Sequence, residues 1–253
     1  NSNINEKLKV FYKNSSFIDE KSLNFPLVKN NSKTLLKEVS DKKELTYNHK
    51  QIDKADFNIQ RLIPRKISES SPKIKKGDLN NDGIEDVLII DEIDMPKIFL
   101  FSENGKFKEK FFEIKNPNKN IEVSDIAIID INKDESLDLV ILSNFNDFRR
   151  NKYEGKIEFY LNDGKGNFKL SKDYSNKDNL EQGKLLRFND FDKDGDEDLF
   201  ILGKTQISKY PKSSKNQFLE NQNGIFIDVS NKYLKEIEII GIPKDAAWAD
   251  INN

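Results

Sequence analysis

The chain has 253 residues, with 42 basic and 44 acidic side chains, a net charge of −2 and no cysteine. Near-neutrality excludes a bulk field that would draw it to nucleic acid or anionic lipid. The lack of cysteine excludes disulfides and thiolate metal sites. A hydrophobic fraction of 36% and 18 Phe suit half-buried strands more than long helices.

Taken in order, the chain opens Asn1-Ser2 without Met, which reads as a processed or trimmed start. Lys7–Tyr12 and Leu35–Ser40 have strand character, so residues 1–40 read as the last half of a repeat unit with an insertion near 15–31. Asn14-Ser-Ser16 and Asn30-Asn-Ser32 fit glycosylation sequons. Residues 41–71 have no repeat partner and are expected to form an ordered excursion. They hold His49, the sole histidine, which reads as a surface or loop residue. No Gly-x-Ser-x-Gly and no cysteine exist from which to build a nucleophilic centre around it.

A repeat then dominates. Asp78-Leu-Asn-Asn-Asp-Gly-Ile-Glu-Asp86 is followed by an apolar run, as is Asp130-Ile-Asn-Lys-Asp-Glu-Ser-Leu-Asp138. Asp190-Phe-Asp-Lys-Asp-Gly-Asp-Glu-Asp198 is the fullest copy, and Asp250-Ile-Asn-Asn253 begins another. The loop starts are 52, 60 and 60 residues apart (78, 130, 190, 250). Two carboxylates about 4 Å apart repel by roughly 4 kcal/mol at an effective dielectric of 20, so such density asks for a cation. Side-chain oxygens at positions 1, 3 and 5, a carbonyl at 7, a carboxylate at 9 and Gly at 6 are what a calcium loop requires. The expected ligands are Asp78, Asn80, Asp82, Ile84 (carbonyl) and Asp86 in the first loop. In the second they are Asp130, Asn132, Asp134, Ser136 (carbonyl) and Asp138. In the third they are Asp190, Asp192, Asp194, Asp196 (carbonyl) and Asp198. Asp250 and Asn252 supply only the first half of a set. Glu135 replaces the Gly of the second loop, so that turn is expected to be strained or built differently.

A second signal runs in phase. Asn104-Gly-Lys-Phe107, Gly164–Phe168 and Asn223-Gly-Ile-Phe226 are Gly turns between an aromatic strand and an apolar one. Each period therefore reads as strand, acid loop, strand, loop, strand, Gly turn, strand. In the first unit the strands fall near 72–78, 86–91, 97–102 and 107–114. Four strands in each period of 50–60 residues predict all-β architecture: a β-propeller of four-stranded antiparallel blades, here partial. Residues 72–253 supply three full units and the start of another; residues 1–71 supply a partial blade and an irregular insertion. One helical turn is expected at 232–237, Trp248 reads as core, and the inserts 144–154 and 204–214 read as long loops opposite the Gly turns.

With these loops and turns in hand, the chain resembles the FG-GAP or VCBS repeat family, which includes the calcium-binding blades of integrin α-subunits. The stretch Asp56–Ser68 before Gly77–Gly83 is similar to bacterial and animal relatives of cartilage acidic protein. The resemblance implies a calcium-stabilised propeller from an exported or cell-surface protein, outer-membrane-associated in a bacterium. Protein or glycan ligands, or other subunits of a surface complex, would be its partners. No catalysis is expected, nor nucleic acid given the near-neutral charge, nor a membrane span, since no run of 18 apolar residues exists. The alternatives are a non-catalytic portion of a polysaccharide-active propeller and a purely structural subunit of a secreted assembly. Arg149, Arg150, Tyr210 and Lys212 are candidate partner contacts on the inserts.

Overall fold

The computed structural model describes residues 36–49, 56–59, 61, 63, 71–91, 96–112, 121–147, 152–174, 180–206, 209–237 and 241–251. It divides into Asn1–Glu38 and Val39–Asn253. Of the first unit only 36–38 are described, and all three are exposed. Everything else below lies in the second. The readings at 7–12, the sequons, Arg149, Arg150 and Asn252 lie outside the described residues.

Among the described residues, twelve strands form three separate four-stranded antiparallel sheets in chain order. The first holds β1 (Lys73–Gly77), β2 (Asp86–Ile90), β3 (Lys97–Phe101) and β4 (Phe107–Phe111). The second holds β5 (Ile121–Ile129), β6 (Asp138–Asp147), β7 (Lys152–Asn162) and β8 (Phe168–Leu170). The third holds β9 (Gly183–Asn189), β10 (Asp198–Gly203), β11 (Gln217–Gln222) and β12 (Ile225–Asp228). Each sheet is a meander of neighbouring strands, as the in-phase loops and turns dictate. The first strands adjoin in series, β1 against β5 and β5 against β9.

The apolar run after each acid loop explains this stacking. Successive side chains of a strand face opposite sides. In β6, Leu139 and Ile141 join Leu79, Leu88, Ile90 and Ile98 in the core between the first and second sheets. Val140 and Leu142 face the other way, into the core with Leu199, Ile201, Leu219 and Phe226 of the third. The middle sheet is buried on both faces, so its second strand is apolar at every position near the loop.

The far face of the first sheet is crossed by the chain that precedes it. Lys43 stands 5.2 Å over the Phe101 ring, and Lys106 pairs with Glu44. Tyr47 donates to Asp91 at 2.6 Å. Residues 43–49 thus pack against the first sheet. Two short helical turns lie in the chain before that sheet, α1 (Ser40–Lys43) and α2 (Asp56–Ile59).

Four expectations need correction. Residues 36–39 form no strand, and Ser40 starts α1 instead. Leu36 is 90% exposed and gains nothing by being extended there. The insert 144–154 is not a loop over its described part, because Asn144–Asp147 and Lys152–Glu154 extend the β6–β7 hairpin in register. The insert 204–214 likewise closes on itself through the Thr205–Ser213 bridge. The turn expected at 232–237 begins earlier, as α3 (Ser230–Tyr233). Trp248 is half-buried and meets Phe191, Phe200 and Phe218, while its indole N–H donates to the Arg187 carbonyl at 3.3 Å.

The sheets are joined by polar contacts at the end away from the acid loops. Asn144, fully buried, donates to the Gly183 carbonyl at 2.8 Å and accepts the Gly183 N–H at 3.0 Å. Gln182 donates to Asn146 at 2.6 Å, and Lys204 pairs with buried Glu122. Every one of these buried groups has a partner, which offsets its desolvation.

Candidate metal centres

The three acid loops each join the first two strands of a sheet, and all three are wound the same way. Position 4 is left-handed in each: φ is +55° at Asn81, +60° at Lys133 and +62° at Lys193. So is position 6, with φ of +83° at Gly83, +69° at Glu135 and +92° at Gly195. The second loop is therefore not built differently. Glu135 takes the glycine's backbone conformation, at a cost of roughly 1–2 kcal/mol for a residue with a Cβ.

Inside each loop, carboxylates gather backbone N–H groups. Position 1 accepts from position 6: Asp78 from Gly83 at 2.7 Å, Asp130 from Glu135 at 2.9 Å, Asp190 from Gly195 at 3.1 Å. Position 5 accepts from position 7: Asp82 from Ile84 at 2.9 Å, Asp134 from Ser136 at 2.9 Å, Asp194 from Asp196 at 2.8 Å. These bonds bend the chain so that the side chains at 1, 3 and 5 converge.

Position 9 does something else. Asp86, Asp138 and Asp198 are 0%, 1% and 1% exposed. One oxygen of each accepts the position-2 N–H, from Leu79 (3.0 Å), Ile131 (3.2 Å) and Phe191 (2.9 Å). The other accepts an N–H of the third strand, from Phe101 (2.7 Å), Asn162 (2.7 Å) and Asn221 (2.9 Å). Each carboxylate pins its loop to its sheet, and each oxygen keeps a second lone pair for another partner. Burial pushes all three carboxyl groups up, with the two N–H bonds pulling the other way; Asp138 reaches about 6.

The loops differ at position 3. Asn80 and Asn132 donate Nδ2 to Asp82 and Asp134 at 2.9 and 2.8 Å, so an amide donor faces the position-5 acid. The third loop has Asp192 there, with no amide to donate. One oxygen each from Asp190, Asp192 and Asp194 lies within 4.8 Å of the others, a cluster that can hold a metal ion. Asp190 Oδ1 is shut off from solvent and accepts no hydrogen bond. In the other two loops the corresponding oxygen takes the position-5 N–H at 3.1 Å. An orphaned carboxylate oxygen on one of three clustered acids fits a hard, oxygen-loving cation such as calcium.

The remaining candidate residues are placed as follows. The Asp196 carboxylate is engaged outside its loop, by Lys133 Nζ at 2.5 Å and by the Asn223 N–H at 3.1 Å. Asp250 is exposed in a segment without strand structure. His49 lies in irregular chain, with Nδ1 2.8 Å from buried Asp91. Two residues had no expected role: Lys133 and Asn81, which link neighbouring loops. The recurrence of position 4 in all three copies was the available signal.

Residues 78–141 match the model of the FG-GAP-like repeat. The match starts at position 1 of the first loop, spans the rest of the first sheet and the whole second loop, and ends in β6. No curated protein matches the chain.

Proposed function

We propose that the chain is a calcium-stabilised β-propeller module that works by binding, not by catalysis. The FG-GAP-like repeat and the serial stacking of three like sheets support blades of one propeller. The observation that carries the metal reading is the third loop, where three convergent carboxylates include a buried oxygen with no partner. Asp190, Asp192 and Asp194 would hold the ion, with the carbonyl of Asp196 and the carboxylate of Asp198 as the remaining expected ligands. The ion would supply the positive charge that the Asn amides give in part to the other two loops.

The role of the metal is structural. Loops of this kind in extracellular modules bind at roughly 10⁻⁴–10⁻³ M, which suits constant occupancy outside a cell. Export or surface display is part of this reading, and among the described residues no helix is long and apolar enough to cross a membrane. The binding surface is assigned to the end opposite the acid loops, where the long β6–β7 hairpin and the 204–214 hairpin project. A protein or glycan is the partner class, and alanine at Tyr210 and Lys212 should weaken its binding. Thermal unfolding across a calcium titration tests the metal reading. A rise in Tm that is lost in Asp192→Asn/Asp194→Asn supports it, and no shift in the wild type sinks it.

A further inference from the structure

Each acid loop reaches the next through the same two positions. Asn81, fourth in the first loop, donates Nδ2 to Ser136 Oγ, seventh in the second, at 3.3 Å. Lys133, fourth in the second loop, donates Nζ to Asp196 Oδ1, seventh in the third, at 2.5 Å. The first link is neutral. The second delivers a full positive charge, and it goes to the loop that has five aspartates and no amide at position 3.

Lys133 thus comes from one sheet to stand over the acids of another. A Cβ on Gly195 would lie 3.8 Å from its Nζ. Its hydrogen bond to Asp196, with the charges of Asp196, Asp194 and Asp190, holds the ammonium above the ordinary lysine range. Its backbone is fixed by the second loop, since φ of +60° belongs to that loop's winding.

We propose that Lys133 is the resident counter-cation of the third loop, offsetting its carboxylate repulsion without metal and opposing the metal once it binds. This rests on the reading of the third loop as a cation site. The sign follows from charge alone. Removing the ammonium leaves the metal-free loop more repulsive, and it removes a like charge from beside the bound ion. It also frees the Asp196 carboxylate to turn toward the loop. The pair is exposed to water, so the effect is modest: about three- to tenfold in affinity at low ionic strength. At about 0.5 M salt, where the screening length is only about 4 Å, it should shrink toward nothing.

The test is calcium calorimetry on the full chain, following the binding component that disappears in Asp192→Asn/Asp194→Asn. Lys133→Gln is expected to tighten that component about three- to tenfold in low salt and to lower Tm in chelator. Lys133→Arg, which keeps the charge, should behave as wild type in both measurements. Unchanged or weaker calcium binding in Lys133→Gln overturns the proposal while leaving the metal site standing. If Asp192→Asn/Asp194→Asn removes no component, the third loop binds no calcium and both readings fall together.

Discussion

Asp138 and Asn162 stand 24 residues apart, yet the carboxylate of the first holds the backbone N–H of the second at 2.7 Å. The other Asp138 oxygen holds the Ile131 N–H at 3.2 Å. Asn162 in turn donates its side-chain Nδ2 to the Leu79 and Leu137 carbonyls at 2.9 and 3.0 Å. The buried acid therefore fixes the loop of its own sheet to the third strand, and the Asn162 side chain ties that strand to the loop of the sheet before it. Asp138→Asn replaces one acceptor oxygen by a donor NH2, which must face an N–H. The buried N–H left unpaired costs about 1–3 kcal/mol. Denaturant unfolding in saturating calcium should show that loss in Asp138→Asn. A variant as stable as wild type would mean that the pin carries no load.

The same burial gives the metal-free protein a pH dependence. The Asp138 carboxyl is pushed up to about 6 in the fold from an ordinary 3.8. A raised carboxyl means that the native state holds its proton more tightly than the unfolded chain does. The contribution of this group is complete below about pH 4 and is lost as pH rises through about 6. Asp86 and Asp198 shift in the same direction. In chelator, Tm should therefore rise between pH 7 and pH 5, and saturating calcium should flatten the part of that rise that Asp198 contributes, by favouring its charged form. A chelated protein that loses stability steadily over this interval would contradict the assignment.

Glu135 offers a cleaner lever on the second loop. Its φ of +69° costs roughly 1–2 kcal/mol for a residue with a Cβ. Glycine removes that cost, although its freer unfolded chain takes back about 0.5–1 kcal/mol. Glu135→Gly should stabilise the protein by up to about 1 kcal/mol, measured by denaturant midpoint at constant slope. The Asp130–Glu135 N–H bond is backbone-based and survives the change. A destabilised variant would show that the Glu135 side chain contributes more than its strain.

The strands were legible because their signals are local. Alternating aromatics at 97–101 and 156–160 and the Gly turns at 105, 164 and 224 each fix a hairpin within a few residues. The match of β2 (Asp86–Ile90) and β3 (Lys97–Phe101) to the expected strands reflects that. The spacing of the acids was equally plain. A second task of position 9 was not: that it also pins the loop to its sheet shows only when Phe101, Asn162 and Asn221 are seen across the sheet, 15 to 24 residues on. The left-handed position 4 was hidden because Lys at 133 and 193 gives no turn signal, unlike Asn81. Residues 41–49 had no repeat to align with, so their packing on the first sheet could come only from three-dimensional contacts such as Tyr47–Asp91.

Tyr160 supplies the last test, in the core between the first and second sheets. It is 2% exposed and its hydroxyl has no hydrogen-bond partner. Burial, with a smaller push from Glu158, drives its ionisation far above the ordinary range, so the group stays neutral. A neutral hydroxyl buried without a partner still costs about 1–3 kcal/mol relative to water. Its ring is well placed, meeting Phe112 edge-on at 6.1 Å within the cluster of Leu88, Ile98 and Leu139. Tyr160→Phe keeps every ring contact and removes only the oxygen, at the risk of a void the size of one atom. The desolvation gain outweighs so small a void, and the variant should gain about 1 kcal/mol in denaturant unfolding. A loss of that size instead would show that the hydroxyl is satisfied in solution, by a buried water bridging it to a neighbouring carbonyl.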